Sequence, residues 1–216
     1  MKVAVIGATG FVGAHITNEL ASRGIEVLGI SRQEKASKKD NISYVAIDVT
    51  NVAALATALK GHDVVVNSFN PGWTNPNIYE DFITGSKAIQ EAVKLSGVKR
   101  FITIGGAGSL YASEGGPQII DTFPSDSPFY PGAKAAKDYL DIIKEEKELD
   151  WAFFSPALEM HQGITTGRTG KYRLGTDFPV MDQNGKNLLS GEDLAVVIAD
   201  EVENPKHHRM RFTAAY

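Results

Sequence analysis

Three glycines at a spacing of three, Gly7, Gly10 and Gly13, constrain this chain more than any other feature. They follow residues 3–6, a short run of Val, Ala, Val and Ile that reads as a buried parallel strand. They lead into an amphipathic segment with Phe11, Val12, Ile16 and Leu20 at helical spacing, and Gly24 suits the position just past a helix end. A strand, a tight glycine turn and a helix, in that order, can hold the pyrophosphate of a dinucleotide. Gly7 lets the strand turn sharply, Gly10 lets the backbone approach the phosphates, and Gly13 lets the helix pack close on the sheet. The backbone N–H groups of Thr9, Gly10, Phe11, Val12 and Gly13, with the positive end of the helix dipole, then form the anion site. Without a ligand the same residues are only a tight turn; the strand–turn–helix context favours the ligand.

The pattern then alternates. Strands are expected at residues 25–30, 43–47, 63–67, 100–104 and 151–154, with a last one near 211–213. Helices are expected at 48–59, 78–96, 130–149, and from Ser190-Gly-Glu-Asp193 to just before Asn204-Pro205. This rhythm predicts an α/β fold, a doubly wound parallel sheet with right-handed crossovers and helices on both faces. Residues 1–216 read as a single domain, with 156–190 as a small substrate-side lobe over the strand ends, where such sheets bind ligands. Residues 109–128, polar and rich in Gly and Pro, are expected to be a long loop.

Composition narrows the function classes. An apolar fraction of 43% supports a sizeable core. The absence of cysteine removes disulfides and thiolate metal sites, and the five histidines show no metal-ligand spacing, so no metal is expected. A formal charge of −4 and a pI near 5.7 argue against a nucleic-acid partner. No apolar run approaches the roughly 18 residues of a membrane span, and no secretion signal is apparent, so the expected setting is cytoplasmic, with a small molecule as partner. Nothing sets an oligomeric state.

The second strand bears on which dinucleotide binds. A site for NAD usually places an acidic residue about 20 positions past the glycines, on the ribose 2′-hydroxyl. Here that point reads Ser31-Arg32, and a guanidinium there can clamp a 2′-phosphate and stack on adenine. NADP(H) is therefore expected over NAD(H), which stays possible. Lys35, Lys38 and Lys39 add charge nearby or form a solvated loop. Asp48-Val49, at the tip of the third strand, either borders the adenine or merely starts a turn.

Gly7-Ala-Thr-Gly-Phe-Val-Gly13, Ser31-Arg32, Asp48-Val49 and Tyr130-Pro-Gly-Ala-Lys134 together resemble the short-chain dehydrogenase/reductase superfamily. More narrowly, the chain is similar to the atypical NmrA-like branch, which includes small NAD(P)H-flavin and biliverdin reductases. The resemblance extends to Gly167-Arg-Thr-Gly-Lys-Tyr-Arg173 and Ser190-Gly-Glu-Asp193, so it covers nearly the whole chain. It implies a Rossmann fold and a nicotinamide cofactor whose channel is lined by Ser68, Phe69, Gly105 and Gly106, with Pro156 beside them after the sixth strand. It also implies a catalytic pair, Tyr130 protonating the substrate oxygen and Lys134 lowering the tyrosine pKa or contacting the cofactor ribose. The four-residue spacing puts both on one helix face, and an ammonium does stabilise a phenolate. Pro131 sets Tyr130 at the start of its helix, however, and no serine is firmly placed as a third member. Branches of the group that reduce flavins or biliverdin do not depend on the tyrosine.

Three further residues are candidates for the substrate side. Trp73 either covers the nicotinamide face or pins its loop, Ser109 precedes the tyrosine, and His161 lies where a pocket should form. Glu145, Glu146, Lys144 and Lys147 read as a solvated helix face. The expected function is an NADPH-dependent reductase of a small planar acceptor, such as a flavin, a quinone or a tetrapyrrole. A sugar-nucleotide epimerase or dehydratase and a non-catalytic NADP(H)-sensing protein are the alternatives.

Overall fold

A computed structural model describes all 216 residues. Its elements, in chain order, are β1 (Lys2–Ile6), α1 (Phe11–Ser22), β2 (Glu26–Ser31), β3 (Ile42–Ala46), α2 (Val52–Leu59) and β4 (Val64–Asn67). Then come α3 (Ile78–Ser96), β5 (Arg100–Ile104), α4 (Ile119–Thr122), α5 (Tyr130–Lys144), β6 (Asp150–Ser155), β7 (Arg173–Gly175), α6 (Gly191–Glu203) and β8 (Met210–Ala215). The eight strands form one sheet in the order β3-β2-β1-β4-β5-β6-β8-β7, parallel throughout except for β7. The chain steps outward from β1 to β3 and then crosses back to β4, which pairs with β1 from Val3↔Val64 to Ile6↔Asn67. The order reverses between these two strands, and in open α/β sheets ligands bind outside the carboxyl ends at such a point.

Strand alternation divides the core into two layers. Val3, Val5, Val64 and Val66 face one side, where α1 and α6 pack with Ile16, Leu20 and Ile198. Ala4, Ile6 and Val65 face the other, where Leu55, Ile89 and Leu140 of α2, α3 and α5 cover them. Both faces are buried, which is why the strands read as continuous apolar runs. Their main-chain polar ends are left at the carboxyl edge.

Two sequence expectations are corrected, and one strand is added. Residues 109–128 are not plain loop: a 3₁₀ turn at Ala107–Ser109, the single-turn α4 and a Tyr111↔Gln118 bridge fold them back onto the sheet. Helix α5 ends at Lys144 rather than near 149, because Glu146 is buried and takes the Gln90 amide and the Glu148 N–H. Glu146 is thus no part of a solvated face. Finally, β7 joins the 156–190 segment to the main sheet by antiparallel pairing with β8, Arg173↔Ala215 to Gly175↔Thr213.

Candidate functional site

The glycine turn lies in the crevice between β1 and β4, and each glycine has a different reason to lack a side chain. Gly7 has φ +77°, and a Cβ there would sit 2.7 Å from the Ser68 carbonyl oxygen. A Cβ on Gly13 would sit 2.1 Å from the Gly7 carbonyl oxygen and 2.6 Å from Ser68 Oγ. Those two glycines let strand, helix and the loop after β4 touch. Ser68 closes the contact by donating both its N–H and its hydroxyl to the Ile6 carbonyl, at 2.9 and 2.7 Å.

Gly10 differs from both. Its Cβ would meet only the Gly7 carbonyl, at 3.3 Å, so protein packing does not demand a glycine. Gly10 is the N-cap of α1 and offers no side-chain cap. The N–H groups of Thr9, Phe11, Val12 and Gly13 donate to no protein acceptor, whereas that of Gly10 is used within the turn, to the Gly7 carbonyl at 3.0 Å. Four unpaired donors around an open glycine, at the positive end of a helix, fit a pyrophosphate.

At the end of β2, Ser31 is buried and its hydroxyl donates to the Gln33 carbonyl, leaving Arg32 exposed with no ion-pair partner. Asp48 accepts the N–H and hydroxyl of Thr50 at 2.9 and 2.7 Å, which is the turn-starting role. Those hydrogen bonds hold its carboxyl below the ordinary range, and the neighbouring Arg32 charge adds to the effect. The Val49 side chain is buried in the core, so only its backbone can border a ligand.

The other end of the crevice is formed by the segments after β4, β5 and β6. Asn67, buried at the end of β4, donates to Thr103 Oγ1 at 3.1 Å and accepts the Phe69 N–H at 3.0 Å. Sequence reasoning missed it; a lone Asn closing a Val-Val-Val run was the available signal. The Phe69 ring packs onto Gly85 of α3 and lies 6.3 Å from the Phe82 ring, so this residue can line the channel only with its backbone. A Cβ on Gly105 would sit 1.9 Å from the Phe153 ring, which makes that glycine a packing requirement of β6. Gly106 lies against Ala136 of α5, and Pro156 is buried just past β6.

Tyr130 and Lys134 do share the first turns of α5, but the structure does not assemble them as a pair. The Lys134 ammonium donates to Asp138 Oδ2 at 2.5 Å and lies 5.6 Å from the centre of the Tyr79 ring. The Tyr79 hydroxyl donates to the same carboxylate oxygen at 2.8 Å. No hydrogen bond joins Tyr130 to Lys134. The bond to Asp138 raises the lysine pKa, and although burial opposes the carboxylate's charge, Lys134 and Tyr79 hold Asp138 below its ordinary range. The lysine thus holds Asp138, which ties α5 to α3 by accepting the Tyr79 hydroxyl. Replacing Lys134 with Met should lower the melting temperature by a few degrees, given the roughly 1 kcal/mol of a partly exposed pair. The pH dependence of any NADPH oxidation should stay unchanged; a lost or shifted acid limb would return the lysine to the chemistry.

Of the substrate-side candidates, Ser109 is corrected: it is fully buried, bonded to the Gly106 carbonyl and, at 2.8 Å, to Ser155 Oγ, and shows no face to a ligand. His161 is exposed and its Nδ1 accepts the Gly163 N–H at 3.1 Å within its own turn. Trp73 lies against Gly132 on α5 with half its surface open. A second missed residue is Asp193, wholly buried at the start of α6, which accepts from Thr169, Gly170 and Tyr216 and so moors the 167–170 strap. The sequence places it only at a helix start and within the resembling Ser190–Asp193 segment, with no hint of these partners.

A doubly wound sheet with an open glycine turn and free donors at its switch point defines a Rossmann-type dinucleotide-binding protein. Comparison with known proteins places it further: residues 7–205 match the NAD(P)H-binding family model, and the chain belongs to that family. A crystal structure of a putative epimerase from Bacteroides thetaiotaomicron is 39% identical and superposes with a TM-score of 0.90, covering 100% of this chain and 96% of that one. A putative NADH-flavin reductase from Streptococcus pneumoniae TIGR4 is 32% identical with a TM-score of 0.84, over 100% and 99% of the two chains. The uncharacterized protein YwnB of Bacillus subtilis strain 168 is 29% identical over 99% of this chain and 97% of its own length. The fold, the family and a nicotinamide dinucleotide site are thus established. No helix is long and apolar enough to cross a membrane.

Proposed function

We propose that this protein is an NADPH-dependent reductase of a small planar acceptor, of the flavin or quinone kind. The observation that carries the reading is the distribution of exposed large apolar side chains. Trp73, Tyr111, Phe123, Phe129 and Leu158 all lie on the segments that leave the carboxyl ends of β4, β5 and β6, while Leu174 sits in β7 and Phe178 and Met181 follow it. A rim so rich in aromatic and aliphatic surface suits a flat apolar ring better than a sugar. When bound, the nicotinamide supplies the hydride. The protein's part is to hold the phosphates on the N–H groups of Thr9, Phe11, Val12 and Gly13 and to orient the acceptor over the crevice.

The Lys134–Asp138 pair supports the same reading. Sugar-nucleotide epimerisation needs a working acid–base at the tyrosine, and here its lysine is engaged elsewhere. Flavins and quinones spread the incoming electrons over a ring system and can take their proton from solvent.

Arg32 is the residue we assign to the 2′-phosphate, because it is exposed and without an ion-pair partner at the end of β2. Arg32→Ala should weaken NADPH by about tenfold or more while leaving NADH nearly unchanged, a charge-assisted bidentate contact being worth at least ~1.5 kcal/mol. Aerobic NADPH consumption with riboflavin or menadione tests the reaction itself. An unchanged NADPH/NADH ratio would remove the cofactor assignment. Thermal protection by a sugar nucleotide without acceptor-driven oxidation would replace the reductase with the epimerase.

A further inference from the structure

Gly132 is an odd residue for its place. It lies in the first turn of α5, buried, among Ala133, Ala135 and Ala136. Glycine in a helix costs about 1 kcal/mol relative to alanine, so the helix alone would favour a fourth alanine. The reason is a neighbour: a Cβ here would stand 2.7 Å from Cζ3 of Trp73 and 2.8 Å from Cδ1 of Ile78. The missing methyl lets the indole lie down on α5. About half of the residue's surface remains open, Trp73 being 53% exposed.

The ring beside it is also open. Phe129, 54% exposed, stands 5.7 Å from Trp73 between ring centroids at an interplanar angle of 74°, so the two rings meet edge to face in an exposed aromatic corner. The loop carrying Trp73 is held in shape before any ligand arrives. Gly72 adopts φ +114° and donates its N–H to Asn70 Oδ1 at 2.8 Å, while Asn75 donates to Asp81 of α3 at 2.8 Å. Tyr130, half-buried, follows Phe129 directly.

We propose that Gly132 seats Trp73 as the floor of the acceptor site, with Phe129 as its wall, and that the corner takes a flat fused-ring molecule by stacking. The proposal rests on the reductase reading, from which it takes the acceptor class. Gly132 is a positioning residue in it, acting through the indole. A flat fused ring can lie against the exposed surface of both aromatic side chains, which a puckered sugar cannot do.

The test uses riboflavin as probe and Trp73 fluorescence as readout, in a Trp151→Phe protein so that Trp73 is the sole reporter. Riboflavin should quench saturably without NADPH. Gly132→Ala should weaken riboflavin by about tenfold, since displacing a stacking ring forfeits ~1–1.5 kcal/mol, and should leave the NADPH dissociation constant within about twofold. In a Trp73→Ala background, read by flavin fluorescence, Gly132→Ala should add nothing. Equal weakening of both ligands, additive losses or an unchanged riboflavin affinity would overturn the proposal. So would a change of oligomeric state in Trp73→Ala with riboflavin binding intact, which would assign the surface to self-association. Should Gly132→Ala fail to fold, Phe129→Leu keeps the bulk, removes the wall and should weaken riboflavin several-fold; no loss there overturns the proposal. Quenching without NADPH consumption would leave the corner standing and remove the reductase; consumption without quenching would do the reverse.

Discussion

Gly10→Ala should abolish tight NADPH binding in a protein that still folds, whereas Gly13→Ala should fail in the fold itself. The two glycines look equivalent in the motif and differ in what surrounds them. Gly10 has φ −73° and ψ 171°, an extended backbone open to any residue, and its Cβ would meet one atom at 3.3 Å. The melting temperature should move by no more than about 2 °C. That same methyl would stand among the four free N–H groups and hold a phosphate out of their reach, so affinity should fall at least about thirtyfold with several charge-assisted bonds lost. A Cβ on Gly13 would overlap the Gly7 carbonyl at 2.1 Å, and neither α1 nor β1 can yield without parting. Overpacking of this kind costs about 3 kcal/mol, roughly 10 °C for a chain of this size. Thermal unfolding and NADPH titration of both variants read the contrast. Normal NADPH binding by Gly10→Ala would show that the phosphates do not lie on this turn.

That contrast also marks how far the sequence was legible. The glycine spacing identified the turn and the fold because backbone geometry leaves few alternatives there: Gly7, Gly13 and the β1–β4 crevice behave as read. It could not tell Gly10, open to a ligand, from Gly105, which is bare only because the Phe153 ring occupies the space of its side chain. Both are glycines in the turns that follow strands, and the difference is a contact of Gly105 with β6 that no local pattern encodes. The Tyr130–Lys134 spacing was legible, but the partner of the lysine was not. Helical periodicity puts two side chains on one face, but Lys134 turns to Asp138, one turn further along the same helix, and to Tyr79 on a different one. Ser109 reads as a substrate-side candidate because it precedes the tyrosine on an expected loop; the 3₁₀ turn buries it against Ser155. Long-range partners of polar side chains are the part that a single sequence conceals.

Asp193 shows the same concealment, with the largest expected cost. Its carboxylate is wholly buried and accepts the Thr169 hydroxyl at 2.6 Å, the Gly170 N–H at 2.7 Å and the Tyr216 hydroxyl at 2.7 Å, with the Thr169 N–H at 2.9 Å as well. Ser190, the N-cap of the same helix, donates its hydroxyl to the Gly167 carbonyl at 2.7 Å and lies 2.9 Å from the Tyr216 hydroxyl. The strap over α6 and the C-terminal residue therefore hang on one ionised group. Asp193→Ala should cost about 3–5 kcal/mol by leaving these donors unpaired, and Asp193→Asn somewhat less, since an amide keeps one acceptor but turns N–H groups toward other donors.

The pH dependence follows from the sign of the shift. Burial opposes the charge, but the hydrogen bonds from Thr169, Gly170 and Tyr216 outweigh it and hold the carboxyl below its ordinary value. A group lowered in the folded state stabilises fully above the unfolded value of about 3.9, and that contribution disappears as pH falls through the folded one. Glu19, Glu146 and Glu201 are lowered as well and add acid lability of the same sign, but they remain in the variant. The stability difference between the parent and Asp193→Asn therefore isolates Asp193. It should be full at pH 7 and shrink steadily below about pH 4 in urea unfolding. A difference that stays constant down to pH 3 would mean that the four donors do not require the charge. Gly191, the first residue of α6, packs against the Phe11 ring at the start of α1, so the strap and the anion turn share a wall. Asp193→Asn should then bind NADPH more weakly at pH 7 as well, and binding at full parental strength would separate the strap from the cofactor site.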